Sequence, residues 1–183
     1  MKKYTDVQGW IQPPEVLGLQ KLSKGKVCLE IGSYKGKSTL IMAEGALSVT
    51  AVDTFRASGN GQTQMSDLTT YNEFMENISG YTNIDVHIGE STTVIPSFPD
   101  DYYDFIWVDG MHGSAYVDAD IKVCWPKLKM GGVMAFHDYG WDGWKDGGPK
   151  KSIDAYFKEE LQISGFVYVT KKRVLLTKGE NHD

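Results

Sequence analysis

Hydrophobic positions follow two different periods along most of the chain. Short apolar runs of strand length alternate with stretches in which apolar residues recur at helical spacing. The runs predicted as strands are Val27–Ile31, Ser48–Asp53, Ile84–Ile88, Tyr103–Asp109 and Gly132–His137. The stretches predicted as helices are Lys37–Gly45, Asp67–Ser79, Ser114–Leu128 and about Lys151–Leu161, with a short helix or turn at Thr92–Phe98. This repeated order of strand and helix predicts an α/β fold with a mostly parallel sheet.

The C-terminal part departs from that alternation. Phe166–Val169 and Arg173–Leu176 are strand-like runs separated only by a short polar turn, which predicts a hairpin and one antiparallel strand. A length of 183 residues suits one domain with a full-sized core. We therefore expect an N-terminal arm over residues 1–20, packed on a single domain over residues 21–183.

Composition narrows the classes of partner. Hydrophobic residues make up 41% and charged residues 23% of the chain, which is typical of a globular protein. The net charge of -5 argues against binding to a nucleic-acid backbone, which requires a basic surface. No apolar run is long enough to cross a bilayer, and the N-terminus lacks the apolar core of a signal peptide. We expect a cytoplasmic protein with no membrane or nucleic-acid partner; the oligomeric state is not indicated.

Polar and small residues collect where the predicted strands end. Gly32 and Gly36 follow the first strand, Asp53 ends the second, Glu90 follows the third, and Asp109 ends the fourth. In an open α/β sheet, ligands bind outside the carboxyl ends of the strands. An acid at the end of the second strand is placed to accept hydrogen bonds from ribose hydroxyls. The series therefore predicts a nucleoside site.

The glycine spacing of the loop after the first strand helps to decide which nucleoside ligand the site binds. A dinucleotide site favours GxGxxG and a helix N-terminus open to the pyrophosphate, whereas this loop has GxxxG and carries Glu30 close by. S-adenosylmethionine has no phosphate, and its sulfonium and ammonium groups favour nearby carboxylates. An NAD-dependent oxidoreductase is therefore the less favoured alternative.

Several motifs together resemble class I S-adenosylmethionine-dependent methyltransferases, in the branch called methyltransferase domain 24, which is related to macrocin- and cephamycin-type O-methyltransferases. The motifs are Gly9-Trp10-Ile11-x-Pro13, Glu30-Ile31-Gly32-Ser33-Tyr34-x-Gly36-x-Ser38-Thr39, Ala51-Val52-Asp53-Thr54-Phe55, Val108-Asp109-Gly110-Met111-His112, Leu128-Lys129-Met130-Gly131-Gly132-Val133 and Phe136-His137-Asp138-Tyr139. The Asp-Gly-x-His and His-Asp-Tyr motifs are the most specific of them.

The resemblance implies a Rossmann-like, seven-stranded sheet of order 3-2-1-4-5-7-6, with strand seven antiparallel and helices on both faces. It also implies S-adenosylmethionine as cofactor and methylation of a hydroxyl on a small-molecule acceptor. The residues we expect to bind the cofactor are Glu30, Gly32, Ser33, Tyr34, Gly36, Ser38, Asp53, Thr54, Phe55, Glu90, Ser91 and Asp109.

The ends of strands four and five carry the candidate catalytic groups. In related metal-dependent O-methyltransferases, acids at these ends hold magnesium; here the corresponding residues are Asp109, His137 and Asp138. Because magnesium prefers oxygen ligands, the histidine also admits manganese, iron or zinc, and a set that only positions substrate stays open. His112 lies three residues after Asp109, where similar enzymes carry a basic catalytic residue. It is a candidate base, with a helix-capping role as the alternative.

Two loops border the predicted site. Residues 140–149, with glycines and two tryptophans, and residues 57–66 are each predicted either to cover the site as a lid or to be ordinary surface loops. Met111 stands where some relatives carry an acid. A non-catalytic protein that binds S-adenosylmethionine therefore remains an alternative to an enzyme.

Overall fold

Five parallel strands form the centre of the sheet in the computed structural model, which describes residues 1–56, 58–59, 62–63, 68–140, 143–157, 162–164 and 166–170. These strands are β1 Val27–Ile31, β2 Ser48–Asp53, β3 Ile84–Ile88, β4 Tyr103–Val108 and β5 Leu128–Phe136. Two more strands, β6 Gln162–Ser164 and β7 Phe166–Thr170, extend the sheet, and β7 is antiparallel to both β5 and β6. The spatial order is β3-β2-β1-β4-β5-β7-β6. The expected Rossmann-like α/β fold with a mostly parallel sheet is confirmed.

The helices are α1 Pro13–Ser23, α2 Lys37–Ala43, α3 Leu68–Ile78, α4 Ser91–Val94, α5 Ser114–Cys124 and α6 Gly148–Phe157. Helix α1 precedes β1, and the other helices lie between strands in the chain. Short 3-10 turns occupy Tyr4–Asp6, Ile95–Ser97 and Trp125–Lys127, and Ser58–Gly59 pairs with Gln62–Thr63 in an antiparallel ladder. Helix α1 continues across the predicted boundary between arm and domain at residue 20.

Both faces of the sheet are covered by helices. Along β4, Phe105 and Trp107 pack in one cluster with residues of α1 and α2, whereas Ile106 and Val108 pack in another with residues of α5 and α6. Strands buried on both faces are apolar almost throughout, which explains the continuous hydrophobic runs of the sequence. Strand β3 is only partly buried, as befits its place at the edge of the sheet.

The structure corrects several predicted boundaries: α2 ends at Ala43 rather than Gly45, and α6 begins at Gly148 rather than about Lys151. Helix α5 ends at Cys124 rather than Leu128, since Pro126 has no backbone N–H and cannot continue an α-helix, and β5 begins at Leu128. Within the described residues, Phe166–Thr170 pairs with the preceding Gln162–Ser164, a strand that the sequence did not predict. The strand predicted at residues 173–176 lies outside the described residues.

None of the helices in the described ranges has both the length and the apolar character needed to cross a bilayer.

Candidate active site

The carboxyl ends of the central strands meet at one edge of the sheet. Two backbone hydrogen bonds continue the ladders just past the strands: Asp109 N donates to Ile31 O at 2.8 Å, and His137 N donates to Val108 O at 3.1 Å. The segments that follow β1, β4 and β5 are therefore held side by side. This arrangement brings the predicted cofactor loop next to the predicted catalytic residues.

The loop after β1 is shaped by residues in the left-handed region. Gly32 has φ +85° and Gly36 has φ +91°, and Tyr34 between them has φ 48°. A Cβ atom on Gly32 would lie 2.1 Å from the carbonyl oxygen of Asp109, so only glycine fits there. Helix α2 begins at Lys37, directly after this turn. The backbone of the loop can therefore approach a ligand closely.

Asp53 ends β2 as predicted, and its carboxylate joins two loops. Oδ2 accepts a hydrogen bond from Tyr34 N and Oδ1 accepts one from Phe55 N, each at 2.7 Å. Burial raises the pKa of Asp53, against the lowering effect of these amides. Each carboxylate oxygen has a further lone pair with which a ribose hydroxyl could be bound.

Thr54 and Phe55, the two residues after Asp53, make contacts of a different kind from those of the Asp53 carboxylate. The Thr54 hydroxyl accepts a hydrogen bond from Arg56 N at 3.3 Å. The Phe55 side chain is buried, with its ring centre 5.2 Å from that of Tyr71 and 4.9 Å from that of Phe74. Its side chain therefore belongs to the core, whereas its backbone amide holds Asp53.

Glu30 is completely buried beneath the cofactor loop. Its Oε2 accepts hydrogen bonds from the hydroxyls of Ser33, at 2.8 Å, and Thr39. Its Oε1 is buried without a hydrogen-bond partner. Burial raises the pKa of Glu30 to about 7, although hydroxyls including that of Ser38 oppose the rise. The carboxyl group therefore has an unfilled acceptor position in a site that is poorly solvated.

The residues after β3 include one contact that the sequence did not predict. Glu90 is exposed and precedes the short helix α4 at its N-cap position, where its side chain makes no capping hydrogen bond. The hydroxyl of Ser91 donates a hydrogen bond to Asp120, a buried residue of α5. Burial raises the pKa of Asp120 to about 6. A polar residue within an apolar helical face was the only signal for Asp120 in the sequence.

Two histidines and two carboxylates form a cluster at the ends of β4 and β5. His112 Nε2 lies 3.2 Å from Asp109 Oδ1 and 3.6 Å from Asp138 Oδ2. His137 Nδ1 lies 3.1 Å from Asp109 Oδ1 and 3.3 Å from Asp138 Oδ1. The structure thus brings together all four residues that the sequence proposed for catalysis or metal binding.

The same cluster contains a candidate set of metal ligands. Asp109, His112 and His137 each offer one ligand atom, and these three atoms lie within 4.8 Å of one another. Asp138 stands beside the set, with one oxygen toward each histidine. The compact set thus contains His112, which the sequence suggested as a base, together with two of the three predicted ligands.

Electrostatic interactions keep the cluster charged. Burial alone would raise the pKa of Asp109, but His112 and His137 hold it below its usual range. Burial disfavours a charged His137, yet Asp109, Glu15 and Asp138 together raise its pKa to about 11. His137 is therefore an imidazolium paired with carboxylates near neutral pH.

Apolar side chains flank the cluster on the solvent side. The Trp144 ring stacks on His112, with ring centres 5.2 Å apart and planes 28° apart. A small cavity next to these rings is lined in part by Met111, His137 and Pro149. Trp144 thus contacts the candidate base, Trp141 lies outside the described residues, and a lid over the site stays a prediction.

Glu15 is a second residue of this region that the sequence did not predict. It lies on α1 and is buried, and its Oε1 is 3.4 Å from His137 Nε2. The sequence offered only a carboxylate in the first turn of a helix, a common position for an acid at an exposed helix start. Its contact with His137 depends on how α1 packs against the sheet.

Comparison with known proteins identifies the family. The sequence profile of the methyltransferase domain 24 family, described as "Methyltransferase domain", matches residues 29–139. The chain belongs to this methyltransferase family. The match includes the last three residues of β1, the cofactor loop, Asp53 and the whole cluster at the ends of β4 and β5. The chain is therefore an S-adenosylmethionine-dependent methyltransferase, which overturns the oxidoreductase alternative.

Solved structures share the fold of this methyltransferase. A Corynebacterium glutamicum protein has 15% identity and a TM-score of 0.69, over 88% of this chain and 82% of that one. The O-methyltransferase NovP has 17% identity and a TM-score of 0.67, over 86% and 79%. CalS11, a TDP-rhamnose 3′-O-methyltransferase of calicheamicin biosynthesis, has 13% identity and a TM-score of 0.61, over 87% and 81%. A search of curated proteins finds no significant match.

Proposed function

We propose that this methyltransferase transfers the methyl group of S-adenosylmethionine to a hydroxyl oxygen of a small-molecule acceptor, with His112 as the base. The observation that carries the proposal is the position of His112, 3.2 Å from Asp109, whose backbone borders Gly32 of the loop that would hold the methyl donor. A hydroxyl is too weak a nucleophile without a base or a metal. His112 supplies the base at the required edge of the sheet.

Asp109 would orient the ring of His112. A carboxylate only accepts hydrogen bonds, so the proton of the neutral ring is fixed on Nε2 and the lone pair lies on Nδ1. The acceptor hydroxyl would give its proton to Nδ1. Its oxygen forms a bond to the methyl carbon as the carbon–sulfur bond breaks, and the bonding electrons return to sulfur, which leaves S-adenosylhomocysteine.

The residues expected to contact S-adenosylmethionine would bind and align it, and would take no part in the proton transfer. The unpartnered, buried Oε1 of Glu30 is suited to a cationic group, which the ammonium of S-adenosylmethionine would provide. The Asp53 carboxylate is suited to the ribose hydroxyls. Glu90 and Ser91 would contact the adenine. Binding by these residues would align the methyl carbon with the acceptor oxygen, which accounts for much of the barrier reduction in such displacements.

A divalent metal would fit the donor set once it displaces a ring proton of His137, because histidine binds a metal only through an unprotonated nitrogen. Asp109, His112 and His137 offer one carboxylate and two imidazoles, a set that favours manganese, iron or zinc over magnesium. When bound, such an ion would polarise the acceptor hydroxyl and lower its pKa. His112 Nε2 would then be a ligand, so loss of His112 would also weaken metal binding. The base and ligand roles of His112 therefore predict different responses to a chelator.

Two of the structural relatives support oxygen as the methyl acceptor. NovP is described as an O-methyltransferase, and CalS11 methylates the 3′ oxygen of TDP-rhamnose. The net charge of -5 supports a small-molecule acceptor rather than a nucleic acid. The cytoplasmic location stays a prediction.

A turnover assay tests the proposal. The purified protein is incubated with S-adenosylmethionine and a panel of hydroxylated small molecules, with a divalent metal or with a chelator, and S-adenosylhomocysteine is measured. We expect acceptor-dependent release of S-adenosylhomocysteine, which His112→Ala lowers by about 10²–10⁴-fold. His87→Ala, a control in the edge strand β3, should retain the parental rate. Tight binding of S-adenosylhomocysteine with no turnover on any acceptor would favour the non-catalytic alternative.

A further inference from the structure

The N-terminal helix contributes a buried acid to the active-site cluster. Glu15 lies in the first turn of α1, and only 9% of its side chain is exposed. Its Oε2 accepts a hydrogen bond from Gln12 N at 2.6 Å, and the Gln12 side chain accepts one from Glu15 N, which together cap the helix. Oε1 is not needed for the cap, and it faces His137 Nε2 at 3.4 Å.

We propose that Glu15 is a positioning residue of the methyl-transfer site, which holds the His137 ring through Nε2 so that Nδ1 faces Asp109 and Asp138. The proposal deepens the proposed function, because it rests on the cluster being the catalytic site. It assigns to α1 a role in the site itself, beyond covering the sheet.

Burial distinguishes this role from helix capping alone. A cap at a helix start works at the surface, where the carboxylate keeps its water. Glu15 is instead buried against an equally buried His137, with 8% of that side chain exposed. A buried carboxylate is costly unless a donor or a positive charge compensates it. His137 is the group that compensates Oε1.

The contact with Glu15 determines which ring nitrogen of His137 faces the carboxylates of the site. Because Glu15 only accepts hydrogen bonds, it requires a proton on Nε2 of His137. The opposite nitrogen, Nδ1, is left to face the two carboxylates at 3.1 and 3.3 Å. The same arrangement of carboxylate, histidine and site orients the rings of histidines that bind metals. Glu15 thus sets the ring orientation whether or not an ion is bound.

Two variants separate positioning from capping. Glu15→Gln keeps an oxygen that can accept from Gln12 N, and it replaces the oxygen facing His137 with an amide that donates. Gln12→Ala weakens the same cap from its other partner and leaves the Glu15 carboxylate in place. Both variants should cost α1 a similar small amount of stability. Only Glu15→Gln changes what His137 Nε2 can bond to.

The first readout does not depend on activity. The ring of His137 is followed by nitrogen NMR near neutral pH, with the signal assigned by its loss in His137→Gln. We expect the Nε2 signal to move toward that of an unprotonated nitrogen in Glu15→Gln, because an amide donates where a carboxylate accepts. In Gln12→Ala the signal should stay at the parental position. An unchanged Nε2 signal in Glu15→Gln, or the same movement in both variants, would overturn the proposal.

The second readout is turnover. Loss of a residue that orients a site histidine typically lowers activity by about 10- to 100-fold. We expect that fall in kcat for Glu15→Gln, with unchanged affinity for S-adenosylhomocysteine, and parental kcat for Gln12→Ala. Equal kcat in both variants would contradict the positioning role. If the parent itself shows no turnover, the proposed function fails, and the NMR comparison still decides whether Glu15 positions His137.

Discussion

Gly32 lies directly against the carbonyl oxygen of Asp109, so that a Cβ atom at position 32 would stand 2.1 Å from it. The first residue is at the end of β1, where the cofactor loop begins, and the second is at the end of β4, where the catalytic cluster begins. The loop that would bind the cofactor and the segment that carries the catalytic cluster therefore touch at this backbone contact. The absence of a side chain at Gly32 is what permits them to be adjacent.

Substitution of Gly32 tests this contact. Gly32→Ala should lower the free energy of unfolding by more than about 3 kcal/mol, because the methyl group cannot fit without moving the backbone. Gly131→Ala is the matched control: its φ is also positive, at +75°, but no atom lies within 4 Å of the added carbon. The control should cost about 1 kcal/mol, the cost of the conformation alone. Equal losses in urea unfolding would show that the close contact is absent.

The raised pKa of Glu30 predicts a dependence of stability on pH. Its pKa is about 7 in the folded protein and 4.5 ordinarily, so the protonated form stabilises the fold and the contribution is lost as the pH rises from about 4.5 through 7. Glu30→Gln mimics the protonated form. Without ligand, we expect the variant to exceed the parent by about 3 kcal/mol at about pH 8 and to match it near pH 4. A difference between the two proteins that is constant with pH would contradict the burial of a charged Glu30.

Much of the fold could be predicted from the sequence, because the central strands are buried on both faces. Strands β1, β2 and β3 have the predicted bounds, since each is a short apolar run that ends at a polar or small residue. The outer strand Gln162–Ser164 was missed, because three residues with one apolar position carry no alternating pattern. Its pairing depends on tertiary contact with Phe166–Thr170.

The site could be predicted only where the chain itself places residues at strand ends. The parallel topology predicts that residues at the ends of different strands lie at the same edge of the sheet. These residues are Asp53, Asp109, His137 and Asp138. Glu15 reaches the site only through the packing of a helix. Because Glu15 and His137 are far apart in the sequence, no local pattern could predict their contact. Such residues require the three-dimensional arrangement of the elements.

Asp53 should contribute to cofactor affinity. Asp53→Ala should weaken binding of S-adenosylhomocysteine by about 1–3 kcal/mol, because charged acceptors for the ribose hydroxyls are lost. Asp85→Ala removes an exposed carboxylate from the neighbouring strand and should leave the affinity unchanged. Isothermal titration of both variants measures the effect. Parental affinity in Asp53→Ala would rule out Asp53 as the ribose ligand.

His112 should matter for rate rather than for cofactor binding. His112→Ala should lower kcat by about 10²–10⁴-fold, the usual contribution of a positioned base, and retain affinity for S-adenosylhomocysteine. If parental turnover is insensitive to a chelator, His112 acts as a base alone. If the chelator abolishes it, Asp109→Ala and His112→Ala should both lose the response to added metal. Full activity of His112→Ala, with or without metal, would exclude both roles.

The central claim is that the edge of the sheet formed by Glu30, Gly32, Asp53 and Asp109 binds S-adenosylmethionine for methyl transfer. Isothermal titration of the parent protein with S-adenosylhomocysteine and with NAD, each with and without divalent metal, tests it most directly. We predict saturable binding of S-adenosylhomocysteine and no binding of NAD, because the loop carries GxxxG and the buried carboxyl group of Glu30 lies close to where a pyrophosphate would have to bind. Binding of NAD with equal strength, or no binding of S-adenosylhomocysteine, would contradict the claim.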